Sequence, residues 1–449
     1  MSLDRAYQET INYLFALQKH GIKLALSNSA ALMALMGEPH RKFRSIHVAG
    51  TNGKGSTSSF IASMLQAAGY RVGLYTSPHL VSFTERIRIN NVLITEAKVV
   101  ELAGRVRDVV RTATNPDGRG SLNPTFFEVT TAMAFTYFAE EGVDLVVTEV
   151  GMGGRLDSTN VIMPLVSVIT NIELEHTEFL GTALTQIAGE KAGIIKRGVP
   201  VVTGATQPEV ITVIEQEAAA RQAAVYRLSR DFLPGPVAAL SGQVFDYRGI
   251  RSSFKNVRIV MLGRYQVDNA CLALASIECL RNAGVFVDEA AVRLGLELAR
   301  WEGRLELVAR KPDVYLDGAH NPASAQKLAA TVREMRPAYG RTILIIGILG
   351  DKDYEGIMSA LVPLADHVVV TKPQYSRAMD VRALASEIQK RHGSVETAET
   401  VKDAIAAAGK AASPDDLVLI TGSLYVVGDA RAVLHPEPDR SGSLSGLKG

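Results

Sequence analysis

One segment constrains the fold of this chain more than any other: Ala49-Gly50-Thr51-Asn52-Gly53-Lys54-Gly55-Ser56-Thr57. Residues 45–49 lead into it as a short apolar run that reads as a strand. Residues 56–68 follow and read as a helix, with Phe60, Ile61, Met64, Leu65 and Ala68 on one face. A strand that turns through glycines into a helix opens a strand–helix–strand unit, which predicts a parallel sheet covered by helices. The alternation continues. Residues 72–76, 144–150, 165–170 and 199–203 read as strands, and residues 125–141 as a helix rich in Phe and Met. The β-branched runs at 144–150 and 165–170 suit strands buried on both faces.

Such a loop carries a chemistry. Glycines let backbone N–H groups approach phosphate oxygens, and the helix N-terminus adds a favourable dipole. Lys54 is placed to reach the β and γ phosphates of a nucleotide, and Ser56 or Thr57 to touch a magnesium ion. The spacing departs from the usual phosphate loop, which would want glycine where Val48 stands, and Gly55 intrudes after the lysine.

Between residues 231 and 262 the texture changes. Pro234, Gly235, Pro236, Gly242 and Gly249 punctuate alternating segments at 244–247 and 257–261, which predicts a small antiparallel patch. Helices are expected over 267–283 and 288–299. Near Trp301-Glu302-Gly303-Arg304 the alternation restarts, with strands at 314–316, 342–346, 367–371 and 417–421. Helices are expected there around 323–335, 354–364, 381–390 and 401–408. The fold class is therefore α/β: a P-loop-type parallel-sheet domain over 1–300 with a small β patch, and a smaller Rossmann-like domain over 301–434. Residues 435–449 are Pro, Gly, Ser and charge, the composition of a disordered tail.

Composition excludes several classes. Lys plus Arg is 48 against 47 Asp plus Glu, so bulk charge would not hold the chain to nucleic acid. At 47% hydrophobic and 21% charged, the 449 residues can fill large cores, and disorder as the main state is excluded. No run reaches the roughly 18 apolar residues of a membrane span, and residues 1–10 carry both charge signs without a secretory pattern, so a cytoplasmic protein is expected. Cys271 and Cys279 fall on one predicted helix about 12 Å apart, too far for a disulfide, and read as small buried hydrophobes.

In open parallel sheets, ligands gather beyond the carboxyl ends of the strands. Here those ends carry Ser77, in Thr76-Ser77-Pro78-His79; Glu149, followed by Gly151-Met152-Gly153-Gly154-Arg155-Leu156-Asp157; and His176. Alone, a serine before proline is a turn former and a single histidine an ordinary residue. A carboxylate ending an apolar strand is harder to dismiss, because burial requires a partner. Together they place a hydroxyl, a carboxylate and an imidazole beside the loop, two of them the oxygen ligands that magnesium prefers. Glu190-Lys191-Ala192-Gly193-Ile194-Ile195-Lys196 reads, on spacing alone, as a helix end with a solvated charge run.

These segments resemble the folylpolyglutamate synthase and dihydrofolate synthase family, within the Mur ligase superfamily of ATP-dependent amide-forming ligases. The resemblance rests on the loop, TSPHL at 76–80, TFFE at 125–128, EVGMGGRLDSTN at 149–160, EHTEFLG at 175–181, EKAGIIK at 190–196, WEGRLE at 301–306 and DGAHNP at 317–322. They run in family order across most of the chain. One position departs: Glu175 stands before His176 where the family usually has aspartate.

The resemblance implies residue roles. Gly50, Thr51, Asn52, Gly53, Lys54, Gly55, Ser56 and Thr57 would bind the phosphates of ATP; Asn269, Arg304 and Asp317 would also contact ATP. Ser77, Glu149 and His176 would hold magnesium, and Lys191 would be carbamylated, a partner for a second magnesium ion. Thr125, Phe126, Phe127 and Glu128, with Arg155, Leu156 and Asp157, would shape the folate site; His320 and Ser423 would meet the incoming glutamate. Lys54, Lys191, Arg304 and His320 would be the catalytic set, with closure of the two domains over the intermediate. The implied substrates are dihydropteroate or folates, L-glutamate and ATP, handled by a monomer with no nucleic-acid or membrane partner. Two rival readings are a Mur-type ligase acting on UDP-muramyl peptides and a binding module that hydrolyses ATP without ligation. TFFE, SPHL and DGAHNP favour folate over the first, and the filled strand ends argue against the second.

Overall fold

The computed structural model describes residues 2–21, 25–114, 121–240, 242–393 and 395–435. Beyond His435, the expected tail lies outside the described residues. The chain forms two compact units. One comprises Met1–His79, Phe83–Val260 and Gln266–Arg300, and the other Leu80–Ser82, Met261–Tyr265 and Trp301–Gly449.

The first unit is built on an eight-stranded sheet. Its spatial order is Val92–Leu93, Ile87–Ile89, Val72–Tyr75, Leu145–Glu149, Arg44–Ala49, Val166–Ile169, Val201–Thr203 and Val225–Arg227. The last six are parallel, and the first two form an antiparallel edge hairpin turned at Asn90 and Asn91. Val48 lies opposite both Glu149 and Val168 in the register, so the glycine-rich loop, Glu149 and the residues after Ile169 leave the sheet side by side.

The helix after the loop runs Lys54–Ala67, two residues earlier at its start than its hydrophobic face predicts. Gly53 at its N-cap has φ 83°, a left-handed conformation that favours glycine and lets the helix start at once. Phe60, Ile61, Met64 and Leu65 are buried as expected, each contributing about 1.5–3 kcal/mol, while Ala68 is the half-buried C-cap. The opposite side is fixed by Ser59 and Ser63, whose hydroxyls donate to the carbonyls of Arg300 and Gly295 at 2.7 Å each. A second layer holds the helix Phe126–Glu140 with Leu3–Ala16, Ser27–Leu35 and Glu96–Thr112. The predicted antiparallel patch is a three-stranded sheet ordered Ser253–Ile259, Gly242–Arg248, Leu233–Leu240.

The second unit carries a six-stranded sheet in the order Glu306–Ala309, Asp313–Leu316, Leu417–Thr421, Thr342–Ile346, His367–Val370, Val395–Thr397, parallel except for its first strand. The late strand Leu417–Thr421 inserts beside Asp313–Leu316, so residues 317–322 and 422–425 emerge from neighbouring strand ends. Cys271 and Cys279 form no disulfide among the described residues and are buried on the helix Arg264–Leu280. Among the described residues no helix is long and apolar enough to cross a membrane.

Candidate active site

The loop is held from below by the end of the neighbouring strand. Asn171 O accepts from Thr51 N at 2.9 Å, and Asn171 Oδ1 accepts from Asn52 N at 2.9 Å. Thr51 Oγ1 donates to Glu173 O and accepts from Glu173 N, and Thr170 Oγ1 donates to Asn52 O at 2.7 Å. Gly50 lies so close to Thr170 that a Cβ there would sit 1.8 Å from Oγ1. A Cβ on Gly53 would lie 2.4 Å from Asn269 Oδ1, which places Asn269 against the loop. Thr170 and Asn171 were not singled out in the sequence. The available signal was a polar pair at the end of an apolar strand.

No side chain caps the helix Lys54–Ala67, so the N–H groups of its first turn have no intrahelical partner. Among the described residues Thr57 Oγ1 is buried without a hydrogen-bond partner, and Lys54 Nζ donates to Thr51 O at 3.0 Å. Unpaired amides, an orphan hydroxyl and a half-buried ammonium fit a polyphosphate.

Glu149 is buried, and its Oε2 accepts from Ser77 N at 3.2 Å, so these two predicted metal-binding residues stand together. His176 is exposed, at φ 51°, at the N-cap of the short helix Thr177–Leu180. No cluster of three His, Cys, Asp or Glu stands ready for a metal among the described residues. A serine hydroxyl and a carboxylate nonetheless suit magnesium, which retains water and phosphate ligands.

Lys191 is not part of a solvated charge run. The helix Leu184–Ala192 turns it inward, where it is 4% exposed and its Nζ donates to Gly50 O at 2.7 Å. Its neighbour Glu190 instead forms an ion pair with exposed Arg155 at 2.7 Å. Burial, and then the nearby Lys54 ammonium, push the Lys191 amine down to about 7, against the opposing pull of Glu175 and Asp157.

The segments read as folate-binding have clear local structure. Thr125 and Glu128 form a capping box at the start of Phe126–Glu140: Thr125 Oγ1 accepts from Glu128 N at 3.3 Å, and Glu128 Oε2 accepts from Thr125 N at 2.6 Å. Phe126 stacks on Phe15 with centroids 5.6 Å apart, and Arg86 lies 5.2 Å from the Phe126 ring centre. Phe127 stacks on Tyr75 and lies against Gly151, where a Cβ would fall 2.6 Å from its ring. Leu156 is half-buried. Asp157 is buried and bonded internally: Oδ1 accepts from Thr159 N and the Thr159 hydroxyl, and Oδ2 from Met152 N at 3.0 Å.

In the second unit, Asp317 is buried and accepts from Leu305 N at 2.8 Å and Ala319 N at 2.9 Å. Burial raises its carboxyl, opposed mainly by the Arg304 guanidinium. Arg304 Nη1 donates to Gly303 O at 3.1 Å. His320 Nδ1 lies 2.7 Å from Gly318 O; a carbonyl only accepts, so Nδ1 is the donor of this bond. Ser423 is buried and caps the helix Leu424–Leu434, accepting from Val426 N at 3.1 Å.

Comparison with known proteins places this arrangement. Residues 48–277 match the Mur ligase middle domain, and residues 303–424 the Mur ligase glutamate ligase domain. The chain is 40% identical over 432 residues to the dihydrofolate synthase/folylpolyglutamate synthase of Bacillus subtilis, covering 95% of this chain and 98% of that protein. This chain belongs to the folylpolyglutamate synthase/dihydrofolate synthase family. Within that family, the Mycobacterium tuberculosis folylpolyglutamate synthase complexed with ADP and AMPPCP superposes with a TM-score of 0.88 at 38% identity, over 96% of this chain and 100% of that one. An Escherichia coli family structure in complex with DHPP and ADP gives 0.85 at 31% identity, over 96% and 98%. The family's α/β fold, with its two sheets and small antiparallel patch, is the architecture expected from the sequence.

Proposed function

We propose that this chain joins L-glutamate to dihydropteroate and extends folates with further glutamate, as a bifunctional dihydrofolate synthase/folylpolyglutamate synthase that converts ATP to ADP and phosphate. The observation that carries the proposal is an uncapped helix N-terminus, bearing Lys54 and an orphan Thr57 hydroxyl, beside Glu149 and a buried Lys191 of lowered basicity. Such a site holds a nucleotide's phosphates and the charge that develops on them.

A carboxylate does not condense with an amine unaided, because its oxygen is a poor leaving group. The acid's carboxylate oxygen attacks the γ-phosphorus and ADP leaves, giving an acyl phosphate. The loop amides, Lys54 and Arg304 spread the charge on the transferring phosphoryl group, with Asn269 and Asp317 also assigned to the nucleotide. Ser77, Glu149 and His176 would hold magnesium, whose bound ion supplies Lewis-acid stabilisation, with carbamylated Lys191 partnering a second ion. The neutral α-amine of glutamate then attacks the acyl carbon, and the phosphate leaves with the former carboxylate oxygen. His320 is assigned as the group that accepts the amine proton, its ring held by the Nδ1 hydrogen bond to Gly318 O. Ser423 serves the glutamate side, and residues 125–128 and 155–157 line the folate side. We place the chain in the cytoplasm as a monomer without nucleic-acid or membrane partners.

The test is mass spectrometry of products from dihydropteroate and from tetrahydrofolate, each with ATP, magnesium and glutamate. Both acids should gain glutamate. Conjugation of only one refutes bifunctionality, and conjugation of neither refutes the reaction.

A further inference from the structure

His47 lies in the middle of the strand Arg44–Ala49, three residues before the loop, and is fully buried. Nothing in the reaction above uses it. A histidine inside a parallel sheet is costly unless its ring nitrogens are paired, and His47 Nδ1 has no partner among the described residues. The other nitrogen, Nε2, lies 2.8 Å from the hydroxyl of Thr159, 112 residues away in sequence and also fully buried.

The protons on this line can be assigned. The Thr159 hydroxyl donates its single hydrogen to Asp157 Oδ1, so its oxygen can only accept from His47. Nε2 therefore carries the ring hydrogen. Burial, reinforced by the Lys196 ammonium, pushes the imidazole down to about 3, so the ring is neutral at working pH and the line does not titrate. The order of donation is His47 to Thr159 to Asp157, which in turn receives Met152 N and Thr159 N. Asp157 thus ties down the segment directly after Glu149, and Gly151 in that segment is the surface on which the Phe127 ring rests.

We propose that His47 is a positioning residue that, through Thr159 and Asp157, fixes the Gly151–Asp157 turn beneath Phe127 and so sets the fit of the pterin-bearing acid. The proposal rests on the reading of residues 125–128 and 155–157 as the folate side of the site. It separates the two substrates: loss of the relay loosens the acid's surface, while the loop amides and their Thr170 and Asn171 supports are untouched.

The experiment compares His47→Leu, which removes the donor, with His47→Gln, which keeps an N–H at similar reach. Thr159→Val and Thr159→Ser form a second pair. For each full-length variant, KM for dihydropteroate, KM for ATP, kcat and thermal midpoint are measured. His47→Leu and Thr159→Val should raise the dihydropteroate KM about tenfold, leave the ATP KM within about twofold, and recover most of the loss in the Gln and Ser variants. A purely structural role would lower the melting point and scale kcat with folded protein at unchanged KM; that pattern overturns the proposal. So does a Gln variant no better than Leu, or a Ser variant no better than Val. If His47→Leu does not fold, the Thr159 pair decides alone. Phe127→Ala is the control. If it raises the dihydropteroate KM and the relay variants do not, the relay fails while the folate reading stands. If it also leaves that KM unchanged, the folate reading fails.

Discussion

Lys191 offers the sharpest chemical prediction. An ordinary lysine near 10.5 is about 0.3% neutral at pH 8, whereas an amine at about 7 is about 90% neutral there, a gain of about 300-fold in the nucleophilic form. Only the neutral amine attacks carbon dioxide, forming the N–C bond and releasing a proton to leave a carbamate anion. The folded-state value is depressed, so the reactive form dominates above pH 7 and falls to about 10% at pH 6. Wild-type protein equilibrated with 13C-bicarbonate at pH 8 should show one carbamate carbonyl resonance that fades as the pH falls through 7. Lys191→Ala should lack it and lose ligase activity by at least about a hundredfold. A wild-type spectrum without that resonance, or a Lys191→Ala variant with normal turnover, would refute the reasoning.

Other outcomes follow from the same geometry. Lys54→Ala should abolish glutamate-dependent ADP release, read by a coupled assay, because Lys54 is the ammonium set at the start of the uncapped helix. Gly50→Ala should abolish nucleotide binding by calorimetry, since its methyl would collide with Thr170 Oγ1 and displace the strut under Asn52. Thr125→Ala should cost about 1 kcal/mol in denaturant titration through loss of the capping box, whatever it does to folate binding.

What was legible in the sequence was local. The strand–loop–helix unit, the parallel strands and the antiparallel patch could be read because period, β-branching and glycine placement act over a few residues. The edge hairpin at Asn90-Asn91 was overlooked although paired asparagines at positive φ are a turn signal. In TFFE, the threonine and glutamate were read for substrate, whereas their spacing also spells a helix cap. Lys191 looked solvated because its burial depends on Gly50, 141 residues earlier. His47 gave no signal because its partner lies on a different segment. Long-range partners of buried polar groups are set by topology and leave little trace in spacing.

The central claim is that the terminal phosphoryl of ATP is transferred to the carboxylate before the amine attacks. With both carboxylate oxygens of dihydropteroate labelled with 18O, one label should remain in the new amide and the other should appear in inorganic phosphate, one per bond formed. Unlabelled phosphate released alongside the conjugate would contradict the account.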